Sequence, residues 1–268
     1  MKKPTIEAIA IDLDGTLLTT DKTITPYTLS VLQKAMDRGI KIIIATGRSL
    51  ATCDRYITQV ASPTPMICYN GSCIYDPISK TDLFHKTMDE SISEIIVSLI
   101  ENTPAAFQAF RQHKVHYKGH GQHADFLEPL TSKIGVVTED FSTLSPFAFT
   151  KAMFIGEFSD TEKIRLELLK KCKDTLHVVY SHPSYFEMMS EGATKGFALD
   201  KLLSELGISP ENTMAIGDES NDIEMLKLVQ HSVAMGNCSK GVANTALYQT
   251  TSCDDDGVAK AIEKWALY

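Results

Sequence analysis

Ile9-Ala10-Ile11-Asp12-Leu13-Asp14-Gly15-Thr16 is the stretch on which the fold turns. A short apolar run stops at two carboxylates one residue apart, and a glycine turn follows at once. An apolar run this early reads as a central strand buried within a sheet. Its tip cannot hide two negative charges without a cationic partner, most simply a metal ion or a lysine. Open α/β sheets bind their ligands at that C-terminal edge.

Outward from this stretch, Thr25-Pro26 supplies an N-cap with proline at the first helical position. Leu29, Leu32 and Met36 recur at helical spacing until Gly39. Lys41-Ile42-Ile43-Ile44-Ala45 is a second buried-strand run ending on Thr46-Gly47-Arg48. The β-α-β order predicts a parallel pair with a right-handed crossover, which puts Thr46 at the same edge as Asp12. A helix over 49–60 and a strand at Met66-Ile67-Cys68-Tyr69 follow, and Asn70-Gly71 signals a hairpin turn.

From about Leu83 the pattern changes. An amphipathic helix over 91–101, irregular strands through Tyr117, a strand over 151–155, a helix over 161–173 and strands near 178–180 and 185–189 suggest a small α+β domain. The α/β rhythm then resumes. Lys195 lies near the start of a helix that Gly207 ends; strand 213–217 runs into Asp218, and Asn221-Asp222 opens a helix carrying Met225, Leu226 and Val229. Strand 232–236 and helix 258–265 close the series.

Composition narrows the function. The 268 residues are 43% hydrophobic and 22% charged, as in an ordinary globular chain. A net charge of −8 argues against a nucleic-acid binder and means that an anionic substrate needs a local metal or lysine. Six scattered cysteines form no Cys-x-x-Cys pair and read as reduced core thiols of a cytoplasmic protein. No apolar stretch reaches the ~20 residues of a membrane span.

Three strand ends thus bring Asp12 and Asp14, Thr46, and Asp218 to one edge, and Lys195 joins them from a helix start. Asp12, Asp14 and Asp218 are hard oxygen donors of the kind Mg²⁺ takes, with a substrate phosphate completing its shell. A carboxylate beside such a metal can attack phosphorus, and a carboxyl two residues on can shuttle the proton. Thr46, backbone N–H groups and Lys195 would hold the charge of the transferring phosphoryl group.

Asp12-Leu13-Asp14-Gly15-Thr16-Leu17, Ala45-Thr46-Gly47-Arg48, Thr194-Lys195-Gly196 and Gly217-Asp218-Glu219-Ser220-Asn221-Asp222 together resemble the haloacid-dehalogenase-superfamily phosphatases. The branch they resemble is the Cof-type sugar phosphatases with the large inserted (C2-type) cap. The resemblance implies a Rossmann-like, doubly wound parallel-sheet core over 1–84 and 191–268 and an inserted α+β cap over 85–190 that selects the substrate. It implies a Mg²⁺-dependent phosphomonoester hydrolase of small phosphorylated metabolites, with Asp12 the nucleophile and Asp14 the general acid/base. Mg²⁺ would be held by Asp12, the Asp14 backbone carbonyl and Asp218. Leu13, Thr46, Gly47, Arg48, Lys195 and Asn221 would bind phosphate or substrate, with Asp222, Asn70 and Gly71 supporting them.

Other readings stand beside these. Arg48 could be a solvated helix-start arginine. Asp222 reads as positioning Lys195 rather than touching metal, and Asn70-Gly71 reads first as a turn. His113, His116, His120 and His123 invite a zinc reading, but Gly119, Gly121 and strand alternation scatter them, so a rim facing a polar substrate fits better. Asp254-Asp255-Asp256-Gly257 reads as a solvated loop before a helix. A phosphoryl-transferring mutase shares the chemistry. A phospho-aspartate receiver shares the acids, threonine and lysine but lacks the acid at Asp14 and is far shorter. Neither the substrate nor the oligomeric state is readable.

Overall fold

The computed structural model describes residues 5–118, 135–172, 175–182 and 184–267. The chain divides into two compact units: Met1–Arg48, Thr52–Phe84 and Thr194–Tyr268 form one, and Ser49–Ala51 with His85–Ala193 the other.

The first unit begins with β1 (Ala8–Ile11), α1 (Pro26–Asp37), β2 (Lys41–Ile44), α2 (Leu50–Val60), β3 (Met66–Cys68), β4 (Cys73–Asp76) and β5 (Thr81–His85). The Thr25 hydroxyl accepts from the Thr28 N–H at 3.1 Å and so satisfies one orphan donor of α1. Beyond β3 the expected two-residue hairpin is a four-residue loop, because Cys68 and Cys73 are the last paired residues. Tyr69, Asn70 and Gly71 in that loop all take left-handed φ values of 53°, 54° and 102°.

The inserted unit comprises α3 (Glu90–Ile100), β6 (Ala106–Arg111), β7 (Lys114–Tyr117), β8 (Gly135–Val137), β9 (Lys151–Ile155), α4 (Phe158–Lys171), β10 (Leu176–His182) and β11 (Tyr185–Ser190). Its strands form a mixed sheet ordered β10-β11-β9-β6-β7-β8, antiparallel except at β7–β8. Alternation turns Phe107, Ala109, Ala152, Phe154, Phe186 and Met188 into one core with Ile96 of α3 and Leu168 of α4. Helix α4 starts three residues ahead of the expected Thr161. Glu157 is its N-cap, and Thr161 is an interior residue, fully buried with its hydroxyl on the Glu157 and Phe158 carbonyls.

The first unit resumes with α5 (Lys195–Leu206), β12 (Thr213–Gly217), α6 (Ile223–Leu228), β13 (His231–Ala234), α7 (Lys240–Ala243), β14 (Tyr248–Gln249) and α8 (Gly257–Trp265). Asn221 and Asp222 lie in a short 3₁₀ turn just before α6 rather than in its first turn. The parallel sheet runs β14-β13-β12-β1-β2. Strand β1 lies between β12 and β2, with Ile11 opposite Ile216 on one side and Ile44 on the other. All four residues of β1 are fully buried, as a strand covered on both faces requires. The fold is therefore α/β, a parallel core sheet with an inserted mixed-sheet cap unit.

The acidic run before α8 is a staple rather than a solvated loop. Asp254 accepts from the Thr20 N–H at 2.8 Å, and Asp256 accepts from the Thr25 and Thr28 hydroxyls at 2.5 and 3.1 Å. These acids satisfy donors around the start of α1, where local spacing gives no hint of a distant partner. Among the described residues no helix is long and apolar enough to cross a membrane.

Candidate active site

The C-terminal ends of β1, β2 and β12 lie side by side, so the register itself sets Asp12, Thr46 and Asp218 along one sheet edge. Lys195 enters at the first residue of α5, held there by the Thr194 cap. Its side chain is wholly buried, and its Nζ donates to Asp12 Oδ1 at 2.6 Å and to Asp222 Oδ1 at 2.7 Å. The other Asp222 oxygen accepts from the N–H groups of Asp218 and Glu219 at 3.0 and 3.1 Å. Asp222 therefore ties the lysine to the turn that follows β12. Thr16 donates to Asp218 Oδ1 at 3.0 Å, and Asn237, just past β13, donates to the Gly15 carbonyl at 2.8 Å.

The electrostatics of this cluster are lopsided. Carboxylate oxygens of Asp12, Asp218 and Asp222 lie within 4.8 Å of one another, and one ammonium faces them. Burial pushes Asp12 up to about 8, against the Lys195 charge and with the help of Asp222. Burial and the Asp222 charge also push Asp218 up to about 7, partly offset by the Thr16 hydrogen bond. Burial works to lower Lys195, but Asp12 and Asp222 override it and hold it charged well above its ordinary range. Among the described residues, three buried acids and one ammonium meet here and remain short of positive charge. Close, hard oxygen donors with that deficit suit a hard divalent cation.

Asp14 stands apart from this group. Arg48 grips its carboxylate through Nε to Oδ2 and Nη2 to Oδ1, each at 2.6 Å, and Lys22 Nζ reaches Oδ1 at 2.9 Å. Partial burial would raise the Asp14 carboxyl, but the hydrogen bonds from Arg48 and Lys22 override it and hold it at about 2. Arg48 is thus neither solvated nor idle: its fork is committed to Asp14.

The remaining predicted residues form the wall around these groups. Leu13 buries its side chain completely, leaving only its backbone to meet a ligand. Thr46 is buried, and its hydroxyl accepts from the Arg48 N–H at 3.1 Å. Asn221 donates to Asn70 Oδ1 at 2.9 Å, and any side chain at Gly47 would press on that Asn70 amide. Gly71 lies against the Thr194 carbonyl, where a Cβ would overlap it. The Asn70-Gly71 turn thereby braces the residue that caps α5. Among the histidines, His116 is buried with Nδ1 on the Thr138 hydroxyl at 3.1 Å, and the His113 ring stacks on His85. His120 and His123 lie outside the described residues.

Sequence reasoning missed three contributors. Thr16 stood inside the first motif, where its role as a donor to Asp218 was open to inference. Asn237 follows a strand that ends at the same edge, and that position was its only signal. Lys22 had none.

A family model for the haloacid dehalogenase-like hydrolases matches residues 9–262 of this chain. The chain belongs to that family. It is 34% identical over 263 residues to a 5-amino-6-(5-phospho-D-ribitylamino)uracil phosphatase of Bacillus subtilis, covering 98% of this chain and 96% of the relative. It is 28% identical to an HMP-PP phosphatase of Serratia proteamaculans, covering 96% and 94% of the two chains. The crystal structure of a haloacid dehalogenase-like hydrolase from Bacteroides thetaiotaomicron superposes with a TM-score of 0.90 at 25% identity, covering 97% of this chain and 99% of that one.

Proposed function

We propose that this phosphatase cleaves small phosphorylated metabolites, sugar phosphates among them, through a phosphoryl group carried on Asp12. The observation that carries the reading is the Asp12–Lys195–Asp222 chain beside Asp218: a buried carboxylate, aligned by a buried ammonium, in a cluster that lacks positive charge. The phosphatase relatives of near-equal length support it.

In the first half-reaction, an Asp12 carboxylate oxygen attacks phosphorus and the bond from phosphorus to the leaving oxygen breaks. Asp14 supplies the proton that the leaving oxygen needs, the negative charge of the bound phosphate ester opposing the hold of Arg48 and Lys22 on its ionised form. In the second half-reaction Asp14 is ionised, the state in which Arg48 and Lys22 hold it here, and takes a proton from water as that water attacks phosphorus. The bond from phosphorus to Asp12 then breaks, releasing inorganic phosphate and restoring the carboxylate. Lys195, the Thr46 hydroxyl and the backbone N–H groups of Leu13 and Gly47 meet the charge on the phosphoryl oxygens, with Asn221 braced beside them by Asn70. Mg²⁺ is the cation we assign to Asp12, Asp218 and the Asp14 carbonyl, where it supplies charge neutralisation for substrate and transition state. Asp222 positions Lys195. The inserted unit, 85–190 in this reading, selects the leaving group.

Hydrolysis of p-nitrophenyl phosphate with and without Mg²⁺, repeated with Asp12→Asn, tests the mechanism. Activity should need the metal and vanish in the variant; an undiminished rate in Asp12→Asn would overturn it. A panel of phosphorylated metabolites ranked by kcat/KM then identifies the leaving group.

A further inference from the structure

The loop between Leu18 and Thr25 delivers Lys22 to the Asp14 carboxylate, although nothing in the local sequence marks it for that place. We propose that Lys22 is a positioning residue for Asp14: with Arg48 it fixes the carboxyl in the orientation that proton transfer requires. The inference rests on the reading of Asp14 as the acid/base.

Arg48 defines the plane of the carboxylate by its two-point grip, with 2.6 Å contacts to both oxygens. A group gripped along one edge can still rock about that edge. Lys22, approaching Oδ1 at 2.9 Å, adds a third point of attachment.

Lys22 is itself held firmly. Its N–H donates to the Thr19 carbonyl and the Thr19 N–H to the Thr23 carbonyl, both at 2.9 Å, and the two threonine hydroxyls lie 2.9 Å apart. Thr20 anchors the same loop to Asp254 at 2.8 Å. Lys22 has a left-handed φ of 57°, a conformation that a non-glycine residue keeps only where its surroundings impose it. The Lys22 carbonyl accepts from the Tyr56 hydroxyl at 3.2 Å, and the Arg48 guanidinium sits 5.1 Å from the centroid of the same ring. Tyr56, on α2, is almost wholly buried. One fixed aromatic side chain therefore supports both cations that hold Asp14. The Lys22–Asp14 pair is 50% and 39% exposed, and pairs so wet add little stability. What such a pair can set is orientation.

A general acid matters in proportion to how badly the leaving group needs a proton, and kcat/KM reports the steps up to formation of the phosphoryl-Asp12 species. The leaving oxygen of glycerol phosphate would be a poor alkoxide and needs the proton, whereas the p-nitrophenolate of p-nitrophenyl phosphate leaves without it. Loss of the Lys22 charge makes Asp14 easier to protonate, which would favour the acid step, so a loss in that step reports orientation. Lys22→Met should lower kcat/KM for glycerol phosphate at least about tenfold more than for p-nitrophenyl phosphate, and Lys22→Arg should recover most of the difference. Lys34→Met, at an exposed lysine on α1, is the control and should change neither. Equal losses on the two substrates, or no loss, would overturn the proposal. A crystal structure of Lys22→Met tests it without turnover: the Asp14 carboxyl should be rotated or spread over several orientations. An unmoved, well-ordered carboxyl would overturn it too. Activity surviving in Asp12→Asn would instead count against the nucleophile, leaving the structural arm to decide on Lys22.

Discussion

Lys195 and Asp222 form an ion pair at 2.7 Å in which both side chains are wholly excluded from solvent. Removing Asp222 leaves Lys195 with Asp12 alone and deprives the buried Asp218 N–H and the neighbouring Glu219 N–H of their acceptor, which costs about 1–3 kcal/mol. Asp222→Ala should lower stability on that scale in urea unfolding. It should also cut kcat by about 10²-fold or more, because Lys195 then loses the group that aims it at Asp12. Retention of wild-type stability and rate would remove Asp222 from its positioning role.

The deficit of positive charge around Asp12, Asp218 and Asp222 predicts that cation binding stabilises the fold. Mg²⁺ at ~100 times its Kd should add about 2.7 kcal/mol, visible as a rise in Tm, and EDTA should reverse it. Asp218→Asn should abolish that rise. A variant whose Tm still climbs with Mg²⁺ would place the ion elsewhere.

Gly71 and Gly39 make a matched pair for substitution. Both take left-handed φ values, 102° and 83°, yet an added Cβ meets nothing within 4 Å at Gly39 and overlaps the Thr194 carbonyl at Gly71. Gly39→Ala should cost about 1 kcal/mol of backbone strain alone. Gly71→Ala should cost at least about 1 kcal/mol more and reduce kcat, because the collision falls on the residue before Lys195. Equal effects in the two variants would show that the turn does not brace α5.

Acid should weaken the fold through two histidines. His116 and His231 are both pulled below the ordinary 6.5 by burial, with the Arg111 and Lys114 charges adding to the effect at His116. Well above pH 6.5 each is neutral whether the chain is folded or not, and their packing is intact. As pH falls below that value the unfolded chain takes up protons that the folded chain resists, so stability is progressively lost. Asp12 and Asp218, raised to about 8 and about 7, take up protons in the folded chain over the same range and act in the opposite sense. The histidine contribution is therefore read as a difference: between about pH 7.5 and about pH 5.5 the Tm of the double variant His116→Gln/His231→Gln should rise relative to that of the wild type. An identical slope would assign the acid sensitivity to other groups.

The features legible in the sequence were those written locally. Asp12, Thr46 and Asp218 each end an apolar strand, so alternating strands and helices sufficed to bring them to one edge. Lys195 was readable from its place near the start of the helix that Gly207 ends. What escaped depends on side chains meeting across long separations. The partners of the Asp14 carboxylate were not readable because Arg48 is 34 positions away and Lys22 sits in an unremarkable polar loop. Asp254 and Asp256 looked solvated because their partners, Thr20, Thr25 and Thr28, lie more than 200 positions earlier. Helix α4 began early for a different reason: the residue before it, Glu157, makes no side-chain cap and matches no common N-cap pattern, so nothing local marks the start.

Strand β1 pairs with β2 on one side and β12 on the other, and Glu7 beside it bonds Asn212, 205 positions further on. Synthesis from the N-terminus therefore delivers two of the five strands of this sheet long before the rest. The inserted unit, whose strands and helices find their partners within residues 85–193, emerges whole in the interval. Until the last third arrives, one edge of β1 and two aspartates at its tip must wait without a neighbouring strand or Lys195. The high sequence separation makes closure of the sheet the expected slow step of folding. The reaction centre is consequently the last part of the molecule to exist, so a nascent or truncated chain can be largely folded and still chemically silent.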